Sequence, residues 1–178
     1  MNEKDILLWS PEYFLSPSDF HAEANPAAFE DAHSFIKYRC TWTVNSEIFG
    51  KDIRFTIKNI LLTTEFHRHL SWIRLPMVGP KMINHEQGHF DLAESMRHEI
   101  MKKMSETLGN TWHPTRGQNA EQRKQFARED SGVMIHNELA KWEKSLQDAS
   151  AIYDEKTNYG QIKDKQTEYD DSFKQLRL

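Results

Sequence analysis

From Pro80 to Leu108 the chain reads PKMINHEQGHFDLAESMRHEIMKKMSETL. Proline is favoured at the first helical position, and Met82, His89, Ala93, Met96, Ile100 and Met104 recur at steps of three and four residues. Gly109 supplies a stop. The spacing predicts one amphipathic helix of roughly seven to eight turns.

Upstream of this helix the grammar is that of strands. Ile36, Tyr38, Cys40, Trp42 and Val44 alternate with Lys37, Arg39, Thr41 and Thr43, which predicts a half-buried strand. Ile53, Phe55 and Ile57 alternate with Arg54, Thr56 and Lys58 and run on into Ile60–Thr64, with Gly50 at the expected turn between two antiparallel neighbours. Ile6–Trp9 is a candidate edge strand, and Pro11, Pro17 and Pro26 make the stretch that follows it mostly loop. Downstream, a second helix is expected from about Gln118 to Ala151, with Ile135, Leu139, Trp142, Leu146, Ala149 and Tyr153 as its apolar stripe. Asp130-Ser131-Gly132 is a candidate interruption, and a last amphipathic piece spans about 161–176. The expected architecture is therefore α+β in a single domain over residues 1–178. A small antiparallel sheet in a strand-rich part (1–78) packs on a helical part (79–178) that carries the HEQGH helix.

Within that helix, His85 and His89 lie about 40° apart in azimuth and about 6 Å apart in rise, so both imidazoles can lean onto one ion at about 2.0–2.1 Å. Glu86 sits about 100° round from His85, where its carboxylate reaches a water on the metal rather than the metal itself. That is the position of a general base: it takes the proton as the water attacks a carbonyl carbon and passes it to the leaving amine. Gly88 lies mid-helix at a cost of about 1 kcal/mol against alanine, which calls for a reason such as close backbone approach. The sequence thus points to a zinc-dependent hydrolase with a peptide or protein substrate, bound extended by strand addition within Asp52–Phe66.

A catalytic zinc takes three protein ligands plus water, and the third is open at this level. Glu138 flanks the apolar stripe of the second helix, as a ligand or as a salt-bridged flank residue. Asp154 and Tyr159 fall in a turn-like stretch before the last helix; Tyr159 can ligate or donate a hydrogen bond to an oxyanion. His67 and His69 share a strand face at spacing two, while His98, His113 and His136 read as surface or capping residues. Glu94, about 13 Å along the helix axis from His85, is out of reach of the same ion.

The block His85–Glu94, HEQGHFDLAE, resembles the signature of a bacterial family catalogued as domain of unknown function 922 and described as zinc-dependent proteases, most of them secreted. Trp9, Ser18-Asp19-Phe20, Ser71-Trp72, and Tyr153-Asp154 with Thr157 and Gly160 agree with it, so the likeness runs along nearly the whole chain. The resemblance implies a zincin-like fold, metal binding by His85 and His89 and the base role for Glu86. It departs at Tyr159, where the family pattern places a histidine suited to be the third ligand. Either Tyr159 serves as an oxygen ligand, another group substitutes, or the chain is an inactive zincin-like scaffold that binds a protein partner. An amidase or other hydrolase with the same centre is a further alternative.

Composition narrows the classes. The formal charge is −4 with both signs mixed along 178 residues, and no basic stripe marks a nucleic-acid surface. No apolar run approaches the ~18–20 residues of a membrane span, and the first nine residues do not read as a leader. A lone cysteine, Cys40, forms neither an internal disulfide nor a thiolate cluster, so a metal must use histidine, carboxylate or tyrosine. Compartment and oligomeric state are not encoded in these features.

Overall fold

Alternation produces the longest strands. In β3 (Ile36–Phe49) the even positions from Ile36 to Val44 turn inward and the odd ones outward. β4 (Asp52–His67) follows after the two-residue turn Gly50-Lys51, in which Gly50 has φ +64°. The parity of β4 changes once. Phe55 and Ile57 are buried, Lys58 and Asn59 are both exposed, and Ile60, Leu62, Thr64 and Phe66 are buried. Asn59 has φ +51°, and its amide donates to Thr43 Oγ1, whose own hydroxyl donates to the Lys58 carbonyl. This is a bulge, which lets one strand keep an apolar face inward along its whole length.

The computed structural model describes residues 5–74, 78–109 and 111–178. Its architecture is α+β: small antiparallel sheets with three α-helices that lie mostly in the C-terminal half. β1 (Ile6–Leu8) pairs antiparallel with the end of β4, Ile6 opposite His67 and Leu8 opposite Glu65. β6 (His113–Thr115) pairs with its beginning, Phe55 opposite His113. With β3 on its other side, β4 is interior at both ends. The free edge expected within Asp52–Phe66 is therefore narrowed, because Ile53–Phe55 and Glu65–His67 already have partners. A second, two-stranded sheet joins β2 (Ala32–His33), which lies in the stretch that prolines mark as loop, to β5 (Trp72–Ile73).

Helix α1 spans Pro80–Leu108, within the expected bounds. Helix α2 runs without interruption from Ala120 to Thr157. Ser131 and Gly132 do not break it; Ser131 Oγ accepts the Trp42 indole N–H at 3.0 Å, and the nearest atom to a methyl placed on Gly132 is in the Trp42 ring. The helix also extends six residues past the expected end, because Tyr153 and Thr157 continue its buried face. Helix α3 spans Lys163–Phe173.

Contacts divide the chain into two compact units, each drawing on strands and helices. One comprises the chain up to Tyr38, Thr63–Arg97 and Ser145–Leu178; the other, Arg39–Leu62 and His98–Lys144. The core of the first is Leu15, Phe20, Phe66 and Phe90, closed over by Leu7, Trp9, Ile36 and Ile83. In the second, Phe55, Ile57, Ile100, Met104 and Ile135 are buried.

Candidate metal centre

The groups that form the centre all belong to the first unit. His85 and His89 project from successive turns of α1, and Asp154 reaches them from the last turn of α2. Asp154 Oδ1 lies 3.0 Å from His85 Nε2 and 2.9 Å from His89 Nε2, and the three donor atoms lie within 4.8 Å of one another. Ligands at about 2.05 Å in a tetrahedron stand about 3.3 Å apart, so an outward shift of a few tenths of an ångström at Asp154 admits a zinc-sized ion. Two imidazoles and a carboxylate placed this way could hold a metal ion.

The surroundings fix His85 in one tautomer. The Gln166 amide nitrogen donates to Asp170 Oδ1 at 2.8 Å and to the Tyr153 hydroxyl at 2.7 Å, so Gln166 Oε1 is the atom that faces His85 Nδ1, at 3.2 Å. Thr157 Oγ1 gives its proton to the Tyr153 carbonyl and lies 3.4 Å from the same ring nitrogen. Both neighbours are acceptors there, so Nδ1 is a donor. Nε2 faces the Asp154 carboxylate at 3.0 Å, a gap that a proton on the ring bridges in the metal-free protein and a metal ion would bridge in its place. Tyr153 completes the support: its hydroxyl donates to the His85 carbonyl and its ring stacks on His85 at 4.6 Å.

Two glycines permit this packing. A methyl group on Gly88 would overlap the Tyr153 hydroxyl and stand 2.7 Å from Cζ, so the mid-helix glycine has the close approach its position called for. Gly160, at φ +77°, passes so near His85 that a methyl would lie 2.9 Å from its Cβ.

Glu86 is buried beside the pair, and Ser34 Oγ donates to its Oε2 at 2.6 Å. Ser34 follows β2, and the next residue is pinned in turn, Phe35 N–H donating to the buried Ser71 hydroxyl at 2.9 Å. The side chains face a cleft in two compartments of about 330 and 300 Å³, both lined by Glu30, Ala32, His85, Glu86 and Tyr159. Burial disfavours charge on both His89 and Asp154, yet their mutual hydrogen bond wins. His89 is held above its ordinary value, helped by the nearby Glu86 charge, and Asp154 is held down at about 2 by the two imidazoles.

Of the candidates for third ligand, Asp154 joins the two histidines, from a helix rather than a turn. Tyr159 lines the cleft, its ring 6.4 Å from that of His85. Glu138 belongs to the other unit, where Lys141 pairs with it at 2.6 Å; it is a salt-bridged flank residue. His67 ends β4 and His69 lies in a 3-10 turn, so they do not share a strand face, and His67 pairs with Glu65. Glu94 is buried and held by Arg97 and Thr64. Burial pushes the Cys40 thiol up to about 11. Sequence reasoning did not single out Ser34, His33 or Gln166. Gln166 carried a weak signal as a polar residue on the inner face of a short amphipathic helix, and the other two carried none. Comparisons of the chain with protein-family profiles, with curated proteins and with solved structures return no match.

Proposed function

We propose that the chain is a zinc-dependent hydrolase of peptide bonds, with a zincin-like helix supplying two ligands and the base. The observation that carries the reading is the convergence of His85 Nε2, His89 Nε2 and Asp154 Oδ1, with the far side of His85 committed to Gln166. Zinc held there supplies a Lewis acid and a water acidified toward a pKa of ~7.

The chain's own residues then divide the work. His85, His89 and Asp154 hold the ion; Gln166, Thr157 and Tyr153 orient His85. Glu86 accepts the proton of the attacking water at the oxygen not engaged by Ser34 and delivers it to the leaving amine. The substrate strand runs beside β2 rather than β4, because Ala32 and His33 line the cleft and pair with β5 on one side. The resemblance of HEQGHFDLAE to the zinc-protease signature of domain of unknown function 922 is in keeping with this reading.

The test is zinc content and peptide cleavage of the purified protein. The expected result is about one zinc per chain and cleavage that Glu86→Gln abolishes while zinc is retained. Glu86→Gln cleaving as well as the wild type removes Glu86 from the base role. A chain that takes up no zinc, and whose stability ignores a chelator, is the inactive scaffold instead.

A further inference from the structure

We propose that the compartment bounded by Phe29 and Tyr159 is a subsite for an aromatic side chain of the substrate, beside the bond attacked at Glu86. The inference rests on the hydrolase reading and adds a substrate class to it.

The first observation is an exposed aromatic with no fold role. Phe29 is 88% exposed, yet its backbone is held in place. The Arg74 guanidinium bonds the carbonyls of Asn25 and Ala28 and the carboxylate of Asp31, and Arg74 N–H donates to the Asp31 carbonyl at 2.8 Å. A phenylalanine displayed on a braced loop at the rim of a cleft is placed to be covered by a ligand.

Tyr159 supplies the second. It stands at φ +53° between Asn158 at +47° and Gly160 at +77°, a conformation that bulky side chains avoid. The turn is over-determined: Tyr159 N–H donates to the Asp154 carbonyl, Gly160 N–H to Thr157 Oγ1, and Ile162 N–H to the Thr157 carbonyl. Strained backbone of this kind gathers where a side chain must be aimed. Here the ring meets Phe29 edge-on at 6.3 Å and His85 edge-on at 6.4 Å, and it stays 42% exposed.

The chemistry of the lining selects the occupant. Phe29 and Tyr159 offer ring edges and faces in the T-shaped geometry that a third ring extends. Met82 adds a polarizable thioether, and Lys81, one turn before His85 on α1, brings a cation to the rim. An aliphatic side chain gains burial from these groups; an aromatic one gains burial and all three directional contacts. The compartment, about 300 Å³, accommodates a phenyl or indole ring and shares His85 and Glu86 with its neighbour.

The test uses the full chain carrying Glu86→Gln, zinc-loaded so that peptides bind without being cut. Fluorescein-labelled Ala-Ala-Phe-Ala-Ala-Ala and its all-alanine counterpart are titrated by fluorescence anisotropy. The expected result is about tenfold tighter binding of the phenylalanine peptide. Phe29→Ala, at a site too exposed to affect folding, and Tyr159→Ala each bring that ratio below about threefold, whereas Tyr159→Phe keeps it because the ring is what counts. Equal affinity of the two peptides, no measurable binding of either, a ratio that survives Phe29→Ala, or loss of the ratio in Tyr159→Phe overturns the proposal. Failure of the hydrolase reading looks different: wild-type protein that neither holds zinc nor cleaves, with the aromatic preference in binding intact.

Discussion

Replacing Asp154 by asparagine keeps the shape of the side chain and removes the charge between two imidazoles. Asp154 is held at about 2 against an ordinary 3.8, and only 25% of its side chain is exposed. A difference of about two units sets a scale of roughly 2–3 kcal/mol for its interactions in the metal-free protein. In a chain of this size one kcal/mol moves Tm by about 2–4 °C, so metal-free Asp154→Asn should melt about 4–12 °C below wild type near pH 6. Zinc at a hundred times its dissociation constant adds about 2.7 kcal/mol to the wild type and raises its Tm by about 5–11 °C. With one ligand weakened and affinity reduced about a hundredfold, the same zinc concentration gives the variant only about 0.4 kcal/mol, a rise below about 2 °C. Differential scanning calorimetry of both proteins, with zinc and with chelator, measures the four melting points. An Asp154→Asn variant whose Tm climbs with zinc as far as that of the wild type refutes the assignment of Asp154 to the metal.

Three further outcomes are expected. Gly88→Ala, which in an ordinary helix adds about 1 kcal/mol, should instead lower urea stability by about 1–2 kcal/mol, because its methyl meets the buried Tyr153 ring; a stabilised variant contradicts the packing. Ser34→Ala should reduce kcat/KM roughly tenfold with zinc content unchanged, since the 2.6 Å bond that holds Glu86 Oε2 is lost; undiminished kcat/KM shows that Glu86 needs no such support. In the metal-free protein His89 is raised, so its contribution is complete below about pH 6.5 and fades as pH rises through its folded value. Asp154 is lowered, so its contribution is complete above about pH 4 and fades as pH falls toward about 2. Urea midpoints should therefore peak between these limits, and a profile flat from pH 4 to 9 sinks the claimed pairing.

What could be read directly from the residues was periodic. The limits of α1, the alternation in β3 and the turn at Gly50 follow from spacing and from proline and glycine, which act locally. The bulge at Lys58-Asn59 did not show itself, because one left-handed asparagine leaves the apolar content of the strand unchanged. The end of α2 was misplaced for a similar reason: Asp154, Glu155 and Asn158 look like turn residues, and only the burial of Tyr153 and Thr157 keeps the helix going. The pair His85 and His89 was legible because four residues on a helix is itself a distance. The meeting with Asp154, 69 residues away, was not, since it depends on how α2 lies against α1 within the unit. Ser34 was invisible for lack of any pattern in a two-residue strand and its flank.

That long separation also has a meaning in time. A ribosome adding about 5–20 residues per second places Asp154 roughly 3–14 s after His85, and Gln166 later still. Throughout that interval His85 and His89 lack both the Asp154 carboxylate and the Gln166 amide that faces His85 Nδ1. On the function proposed above, a growing chain carries His85, Glu86 and His89 before it can act, and competence arrives only with the turns of α2 and α3 that lock them in place.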